Sequence, residues 1–559
     1  MARRYRPVNR DQPYLFPPSM RDWVPPGHPV WLVITAVEDH MDTSAFHAGR
    51  KTGGAGAAGY DPDMLLTVLV WAYAHQVTSS RRVEQLCHTD VAFRVICGGN
   101  LPDHATVARF RGDFGDAVAA LFAGVLALCA RLGMGKLGVV ALDGMKIAAS
   151  ASKSANRTQE HLAKLAAETV AAHGETDAAE DDLFGEGCRG DEVPEDAWSP
   201  RRRDERIAAA LASLEAERAA AGAEQRQRER EALDAAAAGT PRPGPRPPGA
   251  AVELAAMKVE RARAAQRAKI EAWEAARAAG RPHRGPAPAP AGDNYIRVRQ
   301  ALAELEAAQA RAAAASQPQT DNDGAGPGPV RNITDPDARL MPVRGGTFIE
   351  GYNTQNVTSE DGLIIATELT QDPVDTPWYE PMLRQAEAAA AFITARRPAP
   401  GQAAPGDHGQ PPGDGDSAAS ASLTGLFLAD AGYLSEHNLT TAGPDRLIAT
   451  GKTRDLEHAA RDGEAVTGGR AGPATIAMAA RLQTDAGITA YRQRGHIAET
   501  PHGHIKHNMR FRQLSLRGKP KATAEWTFTC AVHNLFKAIT TGHLTTAALA
   551  ALPTQASPA

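Results

Sequence analysis

Two short apolar runs, each closed by an aspartate, stand far apart in the chain: Leu137-Gly-Val-Val-Ala-Leu142 before Asp143-Gly144, and Leu423-Thr-Gly-Leu-Phe-Leu-Ala429 before Asp430. Apolar runs of this length, the first of them β-branched at Val139 and Val140, read as buried strands with a carboxylate at the tip. If both belong to one sheet, the chain between them must leave that sheet and return. The stretch 155–330 does not look like sheet at all. It is dominated by Ala, Arg, Glu and Gln, with Ile207, Leu211 and Leu214, and again Val298, Leu302 and Leu305, at helical spacing. Pro-rich linkers at 240–249 and 281–292 divide it, so it reads as long amphipathic helices, a helical hairpin or coiled coil inserted into a sheet domain.

The sheet resumes with Gly346-Thr-Phe-Ile-Glu-Gly-Tyr-Asn-Thr-Gln-Asn356 and Gly362-Leu-Ile-Ile-Ala-Thr-Glu-Leu369, joined through Ser359-Glu-Asp-Gly362 as a hairpin. A helix is predicted over 378–395. The stretch 396–422 has no packable pattern and reads as a disordered loop, and Arg446-Leu-Ile-Ala-Thr450 is a last apolar run. The predicted domains are therefore 1–135, all-helical; 136–154 together with 331–545, an α/β domain with a mixed sheet; and 155–330, the helical insertion.

Within the N-terminal region Asp61-Pro62-Asp63 supplies a cap, a first-turn proline and a first-turn acid ahead of the apolar run Met64–Tyr73. Thr78-Ser79-Ser80 starts a helix over 81–87, and Asp103 caps another that carries Arg109 and Arg111. Two short helices before a basic third resemble a helix-turn-helix, with Arg109 and Arg111 on a wet face, whether as DNA contacts or as the surface of a plain bundle. Tyr14, Leu15, Phe16 and Trp23 are expected to dock the Pro-rich N-terminus.

The formal charge is −4, from 61 basic and 65 acidic residues, so the whole composition announces no nucleic acid. Local charge does. Between Arg481 and Lys521 nine Lys/Arg face two acids, a +7 stretch able to neutralise several phosphates. Five scattered cysteines argue against a disulfide framework and for buried thiols in a reducing, cytoplasmic setting. No apolar run is long enough to suggest a signal peptide or a membrane span.

Asp143 and Asp430 at neighbouring strand ends would meet at one sheet edge. Hard divalent cations take carboxylate oxygens and keep several waters, so a few acids suffice to hold substrate phosphates. A third acid, Glu499, lies in Tyr491-Arg-Gln-Arg494-Gly-His-Ile-Ala-Glu499-Thr-Pro-His-Gly-His-Ile-Lys506-His-Asn-Met-Arg510. On a regular helix 499, 503, 506 and 510 share a face, which would set Lys506 and Arg510 beside the carboxylate. His496, His502, His504 and His507 read as a polar, DNA-facing surface rather than zinc ligands, because His502 and His504 point to different sides of a helix.

These residues together resemble the DDE transposases of bacterial insertion sequences. Asp143, Asp430 and Glu499 match the family's three acids, and Tyr491, Arg494, Glu499 and Lys506 resemble its Tyr, Arg, Glu, Lys signature, with the Arg-to-Glu gap one residue longer than usual and Arg492 as a rival to Arg494. Asp335-Pro-Asp-Ala-Arg339, Gly351-Tyr-Asn-Thr-Gln355 and His533-Asn534-Leu535 resemble further recurrent stretches. The resemblance implies an RNase H-like catalytic fold; Mg²⁺ or Mn²⁺, as two ions, held by Asp143, Asp430 and Glu499; and DNA contacts by Arg109, Arg111, Arg494, Lys506 and Arg510. It also implies cleavage at transposon ends and strand transfer into target DNA by a homo-oligomer assembled on DNA and associated with the nucleoid when acting. An inactive transposase-derived DNA-binding protein and a metal-dependent nuclease without strand transfer remain alternatives at this point.

Overall fold

A computed structural model describes residues 19–48, 59–166, 200–239, 247–279, 287–290, 292–315, 330–343, 345–398, 422–451 and 471–554. Tyr14, Leu15, Phe16, Cys188 and most of 396–422 lie outside them. The chain divides into two compact units, residues 1–156 with 332–559, and residues 157–331.

The first unit opens with helices α1 (Pro29–His40), α2 (Pro62–Ala74), α3 (Ser80–Thr89), α4 (Val91–Cys97), α5 (His104–Gly112) and α6 (Ala117–Arg131). Asp61 caps α2 as expected, accepting from the Asp63 amide at 2.9 Å, and eleven of the thirteen residues of α2 are buried, so it is a core helix rather than a surface one. Asp103 caps α5 through the Thr106 amide at 2.8 Å. Ser79 makes no side-chain bond at the start of α3, and that helix runs two residues beyond the predicted end. α4 has no counterpart in the sequence reading. Asp90 ends α3 and caps α4, accepting from the Ala92 and Phe93 amides, and Gly98 at φ +56° stops it. Seven residues are too few for a helical period to stand out. Among the described residues no single helix is long and apolar enough to cross a membrane, and the four described cysteines are free and buried.

The second unit contains α7 (Pro200–Ala237), α8 (Ala251–Ala278) and α9 (Ile296–Ala315). Ala, Glu, Arg and Gln are strong helix formers, and the few apolar residues provide the packing: Ile207, Leu214, Val259 and Val298 are buried. Lys258 pairs with Glu304, Arg263 with Asp293, and the Gln266 amide donates to the Ala289 carbonyl. These pairings run in opposite directions along the chain, as in a helical hairpin.

The sheet belongs to the first unit and is mixed. Its strands are β1 (Val139–Ala148), β2 (Arg339–Val343), β3 (Thr347–Ser359), β4 (Ile364–Thr370), β5 (Leu426–Ala429) and β6 (Asp445–Ile448). β3 is antiparallel to β1 along one edge and to β2 and β4 along the other; β5 is parallel to β1, and β6 to β5. β1 does not end at Asp143. It continues to Ala148 because β3 pairs with it throughout, burying Met145 and Ile147. What ends at this level is the parallel neighbour, whose last pairing is Leu142 with Ala429.

Helices α10 (Tyr379–Thr394), α11 (Glu436–Thr440), α12 (Pro473–Leu482), α13 (Asp485–Gly503) and α14 (Lys519–Thr540) complete the unit, with a short C-terminal helix, Thr546–Ala551. Alternation along the strands sorts the two faces. Val140, Leu142, Phe427, Ala429 and Ile448 join the main core with α10, whereas Ala141, Leu428 and Leu447 pack against Met478, Leu482, Ile497 and Ala498 of α12 and α13. Two residues beyond Ala141 and Leu428, Asp143 and Asp430 continue onto the face that α13 covers.

The stretches that resemble recurrent transposase segments serve this scaffold. Asn534 of α14 brackets Ile364, accepting its amide at 2.9 Å and donating to its carbonyl at 2.8 Å. Asp335 accepts from the Tyr352 hydroxyl and the Gly518 amide, and Asp337 from the Lys519 amide, so this loop satisfies free N–H groups at the start of α14. His533 is fully enclosed, its Nε2 on the Gly362 carbonyl at 3.2 Å and its Nδ1 on His504 at 3.0 Å. Burial, then the charge of His504, pushes its pKa down to about 3. The unfolded chain therefore binds more protons than the folded one between about pH 6.5 and pH 3, and stability falls as pH falls through that window. A loss of the order of 4 kcal/mol is expected by its lower end. Denaturant titrations at pH 7 and pH 4 measure it, and a His533→Leu protein with the same pH dependence would show that this ring is not the cause.

Candidate active site

Asp143 and Asp430 occupy adjacent register positions just beyond the last β1–β5 pairing, with side chains on the same face. Each carboxylate is anchored locally: Asp143 Oδ1 accepts from the Gly144 amide at 3.1 Å, and Asp430 Oδ1 from the Gly432 amide at 2.9 Å, capping a turn at Ala431–Tyr433. Gly144 is required by a close approach, because a Cβ there would lie 2.6 Å from an Asp375 carboxylate oxygen.

α13 brings the third acid. Tyr491 donates to the Ala429 carbonyl at 3.3 Å, tying the helix to the residue that precedes Asp430. One turn later Arg494 enters the space between the acids. Its Nη2 lies 2.9 Å from Asp143 and 3.6 Å from Asp430, and its Nη1 lies 4.0 Å from Glu499. The guanidinium is only 12 % exposed, while Glu499 is 70 % exposed, so Glu499 forms the outer wall. The three acids named from sequence are thus brought together around one cation. Arg494 is not a free DNA contact, and its Nε finds no acceptor.

The charges respond accordingly. Burial pushes the Asp143 carboxyl up, but the hydrogen bond from His502 and the charge of Arg494 hold the group below the usual carboxylate range. Asp430 goes the other way: burial raises it, and the negative charge of Asp143 adds to this against Arg494. Burial opposes the charge on Arg494, and Asp143, Tyr491, Asp430 and Glu499 together hold the guanidinium firmly protonated.

Beyond Glu499 the helix departs from the expected straight face. Pro501 sits inside α13, and His504–Asn508 form a π-helical turn closed by the Met509 amide on the His504 carbonyl at 2.9 Å. Arg510 follows with left-handed backbone, φ +50°, and is exposed, so it leaves the helical row 499, 503, 506. Lys506 is half-buried; burial lowers its pKa and the charge of Asp143 raises it. His502 is not DNA-facing surface: it is buried, with Nδ1 3.5 Å from Asp143. Nor is the +7 stretch one basic face, since Arg481 pairs with Asp445 at 2.5 Å and Arg494 with the acids.

In the N-terminal helices the two arginines separate. Arg109 is exposed, but Arg111 is buried, donating to the Thr78 carbonyl and lying 3.4 Å from the Tyr73 hydroxyl and Ser80 Oγ. It is a structural residue that joins α2, α3 and α5 rather than a groove contact.

Sequence reasoning passed over Asp375, which lies beside the site and accepts from Asn353 at 2.7 Å, Gln355 at 2.8 Å and Lys146 at 3.2 Å. Only the stretch Gly351–Gln355, which supplies two of these donors, carried a signal. The tightest grouping of possible metal donors among the described residues is elsewhere, at His47, Asp61 and Asp63. There Asp61 already caps α2 and Asp63 pairs with His47 at 3.0 Å.

Two family models match the chain: a Transposase domain (DUF772) over residues 18–113 and a Transposase DDE domain over residues 460–539. The first covers α1 to α5, and the second covers α12, α13 and most of α14. The two matches support a DDE-class transposase of the insertion-sequence type. No match was found among curated proteins or among solved structures.

Proposed function

We propose that this chain cuts DNA at the ends of its own element and joins them to target DNA, on an RNase H-like sheet, with Asp143, Asp430 and Glu499 as ligands of divalent metal. The observation that carries this reading is the convergence of three acids from β1, the β5 end and α13 on the single Arg494 guanidinium. The donor set fits Mg²⁺ or Mn²⁺: it is all carboxylate oxygen, and the space between the acids already accepts a cationic group. The chemistry such ions supply when bound is activation of the attacking oxygen and neutralisation of charge at the phosphate. The chain's own residues do the positioning, which is most of what phosphoryl transfer asks of a protein. Arg494 holds Asp143 and Asp430 facing one another, Tyr491 fixes the strand end behind Asp430, and Glu499 stands at the solvent side where DNA enters. The antiparallel β4–β3–β1 half and the parallel β1–β5–β6 half support the RNase H-like assignment, and the excursion from β1 supports residues 155–330 as an insertion. Metal-dependent nicking and joining of duplexes that carry the element's ends tests the reading; binding without either reaction would leave a DNA-binding protein, and nicking without joining a nuclease.

Lys506, Arg510 and Arg109 are assigned to DNA phosphates. Lys506→Ala should weaken binding of end-sequence DNA and shrink the slope of log K against log salt by about one unit. An unchanged slope would make Lys506 a solvated lysine.

A further inference from the structure

One cross-strand row of the sheet carries Asp143 on β1, Asn356 on β3 and Thr367 on β4, paired in register. Polar contacts run along this row from the core to the site. Trp526 Nε1 of α14 lies 2.8 Å from Thr367 Oγ1; Thr367 Oγ1 lies 2.6 Å from Asn356 Oδ1; Asn356 Nδ2 lies 2.9 Å from His502 Nε2; and His502 Nδ1 lies 3.5 Å from Asp143 Oδ2. Trp526, Asn356 and His502 are all buried.

Both ends of this chain have a fixed sense. An indole N–H can only donate, and an ionised carboxylate can only accept. Trp526 therefore donates to Thr367, and the 2.6 Å separation suits a hydroxyl donating to Asn356 Oδ1 better than an amide donating the other way. That leaves the Asn356 NH₂ pointing at His502, so Nε2 must accept. The one ring proton of a neutral imidazole is then on Nδ1, directed at Asp143.

We infer that Trp526, Thr367, Asn356 and His502 form a positioning relay that fixes the Nδ1–H tautomer of His502 and, through it, the orientation of Asp143. The inference rests on the reading of Asp143 as a metal ligand. Groups that orient metal ligands from behind typically change metal affinity by about 10–100-fold when they are removed. In this reading Trp526, Thr367, Asn356 and His502 are positioning residues that act through Asp143.

The test uses the full chain, with Mn²⁺ as probe. Thr367→Val keeps the shape of the side chain but removes the hydroxyl, three links from Asp143, while Thr367→Ser keeps the hydroxyl. Mn²⁺ affinity, measured calorimetrically without DNA, should fall by about tenfold or more in Thr367→Val and stay within about threefold of wild type in Thr367→Ser, with thermal melts verifying that both variants fold. ¹⁵N spectra of histidine-labelled protein should report His502 as the neutral Nδ1–H tautomer in the wild type and lose that signature in Thr367→Val. Wild-type Mn²⁺ affinity in Thr367→Val, or an Nε2–H or doubly protonated His502 in the wild type at neutral pH, overturns the relay. Asp143→Asn should abolish Mn²⁺ binding; if it binds like the wild type, the metal reading falls and the relay with it.

Discussion

Glu499→Gln is expected to reduce metal-dependent nicking by at least about a thousandfold while DNA binding and folding survive. The side chain keeps its volume, and at 70 % exposure it carries little of the packing, so stability should move by no more than about 0.5 kcal/mol. What it loses is an anionic oxygen from a site whose remaining proposed metal ligands would be Asp143 and Asp430. A metal site contributes several kcal/mol to the transition state for phosphoryl transfer, and each 1.4 kcal/mol is a factor of ten. The contrast with Lys506→Ala is the informative part, since the two side chains lie two turns apart on the same segment. Removing the cation should lower affinity and salt dependence; removing the carboxylate should leave both and lower the rate. Parallel loss of binding and nicking in Glu499→Gln, or nicking within tenfold of wild type, would remove Glu499 from the site.

Local features were legible in the sequence and long-range ones were not. The caps at Asp61 and Asp103 are short-range side-chain to backbone contacts and could be read from a few residues. The two apolar runs and the carboxylates that follow them could be named because they too are local features. The end of β1 was misplaced because a turn-like Asp-Gly can sit inside a strand when an antiparallel partner continues past it, and the partner is more than 200 residues away. Arg111 and Arg494 were misread for one reason. An arginine in a basic segment looks like a phosphate ligand until its buried partners are known, and those of Arg494 include an aspartate 351 residues away. His502 repeats the case, since its placement depends on Pro501, the π-helical turn and a row of side chains on β1, β3 and β4. Helical periodicity assumes a regular helix, and this one changes its period at His504, five residues beyond Glu499.

Glu525 is the residue whose loss should cost the fold most. It is completely buried on α14, and every group aimed at it is a donor. Oε1 accepts from the Tyr73 hydroxyl at 2.7 Å and from the Ser515 hydroxyl, and Oε2 accepts from the Ser515 and Leu516 amides at 2.8 and 2.9 Å. Tyr73 belongs to α2, 452 residues away in sequence, so this carboxylate joins the N-terminal helices to the segment that leads from Arg510 into α14. Glu525→Ala leaves four donors without an acceptor in a closed space, and a loss of about 3–5 kcal/mol is expected. Glu525→Gln should cost less, about 1–2 kcal/mol: with its carbonyl on the two backbone N–H groups its NH₂ donates to the two hydroxyls, which can rotate to accept, so only the charge-assisted character of the bonds is lost. Tyr73→Phe removes one of the four donors together with its bond, so about 1 kcal/mol is expected there. Chemical denaturation of the three variants beside the wild type measures the series. A Glu525→Ala protein as stable as the wild type would mean that charge and acceptor count at this junction do not hold α2 to α14, and that apolar packing around Tyr73 and Phe528, whose rings meet edge to face at 5.1 Å, is sufficient alone.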